Sequence, residues 1–185
     1  MKKIAIFTSS PNQDGLTAAC GKAAKKGIES AGIEVNYISL NDLDLKKCRA
    51  CDRGWGQCRD IHKCIIEDDF TKIQEQIQNI EACILITPVY YGEMSESAKT
   101  FFDRLRRCEA TKDQKSFIQD KLIMGVAAAG GSGGGTLNCL SAIKNLFNHM
   151  GAKKHDLIGI TQRNREYKID TIRKAAEKLA EKINH

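Results

Sequence analysis

Five short apolar runs alternate along this chain with five segments in which apolar residues recur every three or four positions. This switching between a strand period and a helix period restricts the fold more than any other feature of the sequence. The runs are Lys3 to Thr8, Glu34 to Leu40, Ala82 to Thr87, Lys121 to Ala128 and His155 to Thr161. The helical patterns follow them at Leu16 to Ala31, from Asp68 and Asp69 onward, at Ser97 to Cys108, at Thr136 to Met150, and through Ile169, Ile172, Ala176, Leu179 and Ile183. Inward faces are expected from Phe70, Ile73, Ile77 and Ile80, from Ala98, Phe101, Phe102 and Leu105, and from Leu137, Leu140, Ile143, Phe147 and Met150. The stretch ACILIT at 82–87 is apolar nearly throughout, as in a parallel strand covered on both faces. Strand–helix alternation with right-handed crossovers predicts an α/β fold, a parallel sheet between two helix layers. Ligands of such sheets sit beyond the carboxyl ends of the strands, so the loops after strands one, three and four are expected to converge on one site.

The chain has 185 residues, enough for one domain and too few for two ordinary ones. We expect a single domain over 1–185 with a cysteine-rich insertion at about 46–66. Apolar residues make up 42% and charged residues 28%, which excludes disorder. No apolar run reaches the ~18–20 residues of a membrane helix. The opening MKKIAIFTSS has an apolar stretch of only Ile4 to Phe7 and no small-residue cleavage site after it, so the expectation is a cytoplasmic protein with no membrane partner. The net charge of +6 is spread over helix faces interrupted by acidic residues. No interleaving of basic and aromatic residues points to nucleic acid.

The three converging loops have unusual compositions. Loop one, from Thr8 to Thr17, holds hydroxyls and an amide between a strand end and a helix start, where free N–H groups and the positive end of the helix dipole can take a phosphate. It contains no Lys or Arg, so N–H and hydroxyl donors would do this alone. Loop two, Pro88 to Ser95, carries the adjacent aromatics Tyr90 and Tyr91, suited to a flat ring. Loop three, Ala129 to Gly135, is five-sevenths glycine and lets backbone approach a ligand edge. The chain has no G-x-x-x-x-G-K-[ST] and no G-x-G-x-x-G after strand one, which weakens triphosphatase and dinucleotide-binding readings. It has no H-E-x-x-H and no Ser-His-Asp arrangement either, and we name no catalytic side chain.

Eight cysteines are the other unusual feature. Cys48, Cys51, Cys58 and Cys64 fall within seventeen residues, spaced by two, six and five intervening positions. In a reducing compartment such a cluster ligates metal or does redox work more often than it forms bridges. Four thiolates can close around a 4Fe–4S cluster or a single zinc, with His62 as an alternative ligand, or they can remain metal-free as a redox dithiol or a subunit contact. Cys20, Cys83, Cys108 and Cys139 fall on apolar faces and read as small core residues. His149 and His155 flank a helix–strand joint and read as structural.

SSPNQDGLT after strand one, TPVYYGEMSESAKTFFDR after strand three and the glycine loop after strand four resemble the NAD(P)H-dependent FMN reductase group of the flavodoxin-like superfamily. The resemblance covers nearly the whole chain, and the second stretch is its most specific part. It implies a five-stranded parallel sheet in the order 2-1-3-4-5 and an FMN-dependent oxidoreductase. It implies that Ser9, Pro11, Asn12, Gly15, Leu16 and Thr17 surround the phosphate. Pro88, Val89, Tyr90, Tyr91 and Gly92 would line the flavin ring with Met94 and Ser95 near, and Gly130, Gly131 and Gly133 would meet its pyrimidine edge. Where many relatives carry Arg in loop one, this chain has Pro11 and Asn12. The cysteine segment is similar to that of the iron–sulfur flavoproteins, a branch of the superfamily with a compact motif for a 4Fe–4S cluster. Their third cysteine follows the CxxC after two residues, where this chain has Gly54. The resemblance implies NAD(P)H or ferredoxin as electron donor, a small-molecule or protein redox partner, and a homodimer or homotetramer. The alternative from the cysteines alone is a non-enzymatic zinc module that mediates protein contacts.

Overall fold

The structure, a computed structural model, describes residues 2–112 and 116–184. Strands β1 (Lys3–Thr8), β2 (Glu34–Ser39), β3 (Ala82–Tyr90), β5 (Leu122–Ala129) and β6 (Lys153–Thr161) form one parallel sheet in the order β2-β1-β3-β5-β6. This is the expected 2-1-3-4-5 order. A sixth, two-residue strand, β4 (Glu93–Met94), pairs antiparallel with the end of β3. Helices α1 (Leu16–Ser30), α2 (Asp69–Gln76), α3 (Glu96–Glu109), α4 (Thr136–His149) and α5 (Arg165–Asn184) connect and cover the strands. None is long and apolar enough to cross a membrane.

Both faces of the sheet are apolar, and the pleat sends alternate residues to opposite sides. Ile4, Ile6, Ile84, Ile86 and Val126 pack toward α1 and α5. Ala5, Phe7, Cys83, Leu85 and Ala127 pack toward α2, α3 and α4. The second layer is built on aromatic rings. Phe7, Phe101 and Phe102 stand 5.2–5.5 Å apart, Phe70 lies 5.4 Å from Phe101, and Phe147 lies 5.6 Å from Phe102. The four cysteines outside the cluster are buried, as expected. Burial pushes the thiols of Cys20 and Cys108 up to about 12 and that of Cys139 up to about 11.

Several sequence expectations shift. The segment after strand three is not an open loop. Strand β3 runs on to Tyr90, and Tyr91 and Gly92, both with positive φ, turn the chain into β4 as a two-residue hairpin. Leu137, expected to face inward, is 82% exposed, whereas Cys139 and Leu140 in the same turn are buried. Helix α2 stops at Gln76, yet Ile77 and Ile80 beyond it remain buried. The hydrophobic demand of those positions outlasts the helix.

The segment of 40–67 is held to α3 through its backbone carbonyls. Arg104 donates through Nη1 to Lys46 O (2.9 Å) and through Nη2 to Ile66 O (3.3 Å). Arg107 donates to Gly54 O (2.8 Å), Thr111 to Arg59 O (2.7 Å) and Gln74 of α2 to His62 O (3.0 Å). Arg104 pairs with Asp68 at 2.5 and 2.9 Å, and both side chains are fully buried. Asp68 also accepts from Phe70 N, capping α2, and from Lys46 N. Burial alone would raise the Asp68 pKa. The Arg104 hydrogen bonds and the two backbone N–H groups outweigh it and hold the carboxyl below its ordinary 3.8. A depressed carboxyl contributes stability above its ordinary range and loses it as acid protonates the folded state. Asp68→Asn is therefore expected to cost about 3–5 kcal/mol at neutral pH, the usual penalty for orphaning one member of a buried pair. Urea unfolding at neutral pH and at roughly pH 3 should also find a shallower acid loss in D68N than in the unsubstituted chain.

Candidate functional site

The carboxyl ends of β1, β3 and β5 meet as expected, and specific contacts join their loops. Ser9 N donates to Ile86 O (3.2 Å). Ser9 O accepts from Ser95 Oγ (2.8 Å) and Ser97 Oγ (3.3 Å), and Ser97 also donates to Asn41 Oδ1 (3.0 Å). Loop one is thus bound to the start of α3. Ser95 caps that helix, accepting from Ala98 N, and its own N–H donates to Thr87 Oγ1 (3.0 Å). Loops two and three touch at glycines. A Cβ on Gly135 (φ 78°) would stand 2.5 Å from Gly92 Cα, so this approach excludes any side chain.

Loop one shapes itself by local turns. Ser10 Oγ accepts from Asn12 N (3.2 Å), and Asn12 Oδ1 accepts from Asp14 N (3.1 Å). Gly15 precedes α1 and offers no capping side chain, and the first turn carries no acidic residue. The first-turn N–H groups of Leu16 and Thr17 therefore keep their capacity for an anion. Thr17 is buried beside them. The hydroxyl of Ser9 is fully buried and, among the described residues, has no hydrogen-bond partner. A buried orphan hydroxyl is costly and demands an explanation.

Two grooves flank the loop. One is lined by Ser9, Pro11, Asn41, Tyr90, Ser95 and Ser97. The other is lined by Ser10, Asn12, Thr17, Tyr37, Lys22 and Lys25. The two lysines are cations that a reading confined to loop one misses. Their position one and two turns along α1 from Thr17 and Ala18 was the available signal. Tyr90 is half exposed on the first groove, whereas Tyr91 points fully into solvent at the hairpin tip. Val89 packs against the core, and Met94 is buried within it. Pro88 lies within β3, paired with Ala128. Gly130 and Gly131 border open space: nothing lies within 4 Å of where a Cβ would be. Gly133 (φ 84°) accepts at its carbonyl from Thr136 Oγ1 (2.7 Å).

Cys48, Cys51, Cys58 and Cys64 all line one recess against α3, together with Arg104, Arg107 and Cys108. The chain curls around it through left-handed residues, with Ala50, Asp52 and Arg53 at φ 47–51° and Gly54 at 94°. Non-glycine residues in this region carry strain, which gathers at functional loops. Burial first, then the neighbouring Cys64, Cys48 and Cys51, raise the Cys58 thiol pKa against the pull of Arg107. Cys108, expected only to pack, also forms part of the recess wall. His62 turns elsewhere, its Nδ1 3.2 Å from Cys108 O. Among the described residues no three His, Cys, Asp or Glu side chains are grouped to hold one metal ion. His155 is structural as expected, with Nε2 3.1 Å from Ala175 O, and His149 is exposed.

Known proteins agree with this architecture. The family model for NADPH-dependent FMN reductase matches residues 2–156. An iron–sulfur flavoprotein of Methanocaldococcus jannaschii is 31% identical over 80% of this chain and 72% of its own length. An iron–sulfur flavoprotein of Methanosarcina thermophila is 29% identical over 72% of this chain and 65% of its own. The fold is that of an NAD(P)H:quinone oxidoreductase from Methanothermobacter marburgensis, with a TM-score of 0.77 at 16% identity over 96% of this chain and 95% of that one. The match across both the strand-end loops and the sheet supports one conclusion. The chain belongs to the NADPH-dependent FMN reductase family, flavin-dependent oxidoreductases of flavodoxin-like fold.

Proposed function

We propose that FMN is held where the three loops meet, and that the carrying observation is the buried, unpartnered hydroxyl of Ser9. The residues there suit it. First-turn N–H groups of Leu16 and Thr17, the Thr17 and Ser9 hydroxyls and the Asn12 and Pro11 segment would take the phosphate, with Gly15 leaving the helix start open. Pro88, Val89, Tyr90, Tyr91 and Gly92 would border the ring beside Ser95, and the bare backbone of Gly130, Gly131 and Gly133 would meet its edge. FMN bound there supplies the hydride and electron chemistry. The protein orients it and leaves one face open through exposed Tyr90 and Tyr91.

The four-cysteine recess is the second half of the proposal. We assign it a 4Fe–4S cluster held by Cys48, Cys51, Cys58 and Cys64. A single zinc needs all its ligands at about 2.3 Å from one point, whereas a cluster spreads its thiolates over several irons. The buried Arg104 and the half-buried Arg107 at the recess suit an anionic occupant, and the relatives at 29–31% identity are named iron–sulfur flavoproteins. The zinc-module reading has no observation in its favour. The proposed donor is NAD(P)H or ferredoxin, with a quinone, a flavin or another small molecule as acceptor. The exposed Trp55, Ile61, Ile65, Tyr91 and Leu137 favour a homodimer or homotetramer, and free thiols in a clustered loop suit the cytoplasm.

Ser9→Ala should leave the flavin-free chain as stable or slightly more stable, because it deletes an orphan hydroxyl. FMN affinity should fall between several-fold and about a hundredfold, matching a lost hydrogen bond of roughly 1–3 kcal/mol. Fluorescence titration with FMN reads the second effect and thermal unfolding the first; unchanged affinity sinks the assignment. Gly131→Val serves as a steric counterpart, folding normally into open space and weakening FMN at least about tenfold.

Anaerobically purified protein should contain about four irons and four sulfides per chain. Cys58→Ala should lose the broad brown absorbance and keep the yellow of the flavin. Iron-free unsubstituted protein would reduce the reading to a simple FMN reductase.

A further inference from the structure

Arg104 has one N–H, on Nε, that finds no well-formed acceptor among the described residues. A guanidinium presents five N–H bonds in a rigid fork. Nη1 serves Lys46 O and Asp68, and Nη2 serves Ile66 O and Asp68. The face of the group lies on the Phe70 ring, 4.2 Å from its centroid. The side chain is 1% exposed, yet Nε has no acceptor among the described residues. That nitrogen belongs to a side chain lining the same recess as Cys48, Cys51, Cys58 and Cys64. The Asp68 carboxylate first, and then the Cys64 thiol, which lies within hydrogen-bonding reach of the guanidinium, hold it in its charged form against its burial. The other arginine of the recess, Arg107, spends its Nη1 on Gly54 O. The packing that locks four of the Arg104 N–H positions also fixes the direction of the fifth, so the donor is preorganised for an anionic sulfur.

We infer that Arg104 donates its Nε–H to a sulfur of the iron–sulfur group in this recess and thereby raises that group's reduction potential. The inference rests on reading the recess as a cluster site. Reduction adds one electron to a group that is already anionic, and a buried N–H donor on a cation stabilises the more negative state. No bond is made or broken, and Arg104 stays charged throughout. It is a tuning residue for the cluster, and Lys46 O, Ile66 O and the Phe70 ring hold it in place alongside Asp68, so its aim does not depend on the carboxylate alone.

The test uses the full chain, anaerobically reconstituted with iron and sulfide, as the unsubstituted protein, Arg104→Lys and Asp68→Asn. Iron content is measured first, and the cluster potential is then titrated with dithionite. R104K keeps the charge and loses the Nε–H; D68N keeps the Nε–H and loses the carboxylate. We expect all three to hold cluster, with the R104K potential lower by at least about 59 mV, a tenfold shift of a one-electron couple, and D68N near the unsubstituted value. An unchanged R104K potential overturns the inference, as does an equal shift in D68N, which would assign the effect to the ion pair. If R104K does not fold, pulsed EPR of the reduced, unsubstituted protein labelled with ¹⁵N-arginine decides. A weak ¹⁵N coupling that survives Arg107→Lys supports the inference, and its absence overturns it. Absence of iron from the unsubstituted protein sinks the cluster reading itself, and is seen before any potential is measured.

Discussion

Arg104 and Asp68 are shut away from solvent between α3 and the start of α2, and their contact closes the segment that carries the cysteines. The two charges lose hydration on burial, which their attraction offsets only with good geometry and further hydrogen bonds. Here both conditions hold. Two short N–H to carboxylate contacts join the pair, and the remaining partners are Lys46 O, Ile66 O, Lys46 N and Phe70 N. Those acceptors and donors come from both ends of the loop, so the pair fixes where a twenty-residue excursion leaves and rejoins the fold. Its main contribution is to position: apolar side chains in place of the pair could fill the space and would hold neither end.

Helix α3 joins the two candidate sites. Its first turn holds loop one through Ser95 and Ser97, and its later turns carry the recess through Arg104, Arg107 and Cys108. From Ser97 to Arg104 the helix rises roughly 10 Å. The i to i−4 backbone hydrogen bonds of one continuous helix set that spacing, and Phe101 and Phe102 pack it against the sheet. A flavin at the loops and a redox group in the recess would therefore keep a fixed separation.

Much of the architecture could be read from periodicity. The five strands, their order once the resemblance was drawn, and the meeting of three loops follow from apolar alternation and strand-end chemistry. The places where reading failed have identifiable causes. Pro88 suggested an end to the third strand, but β3 continues through it with Pro88 paired to Ala128. Leu137 matches the helical period of its neighbours, but the period does not show which end of the apolar stripe finds a partner, and Leu137 in the first turn finds none that buries it. Asp68 was legible as a helix start. Its second role as the partner of Arg104, thirty-six residues away, was not. Cys108 was correctly placed in the core while its share in the recess stayed hidden, because a buried thiol and a recess-lining thiol have the same sequence signature.

The sequence by itself determined the layers, the sheet and the chemistry available at each loop. Those depend on local periodicity and residue type, which every short window of the chain expresses. Only the tertiary structure decided which groups are left without partners. That Ser9 Oγ and Arg104 Nε remain unsatisfied among the described residues depends on contacts between segments 36 to 88 residues apart. Hydrogen-bond satisfaction is a property of the whole packed chain, and these two donors, one in each candidate site, exist as features only once the chain has closed around them.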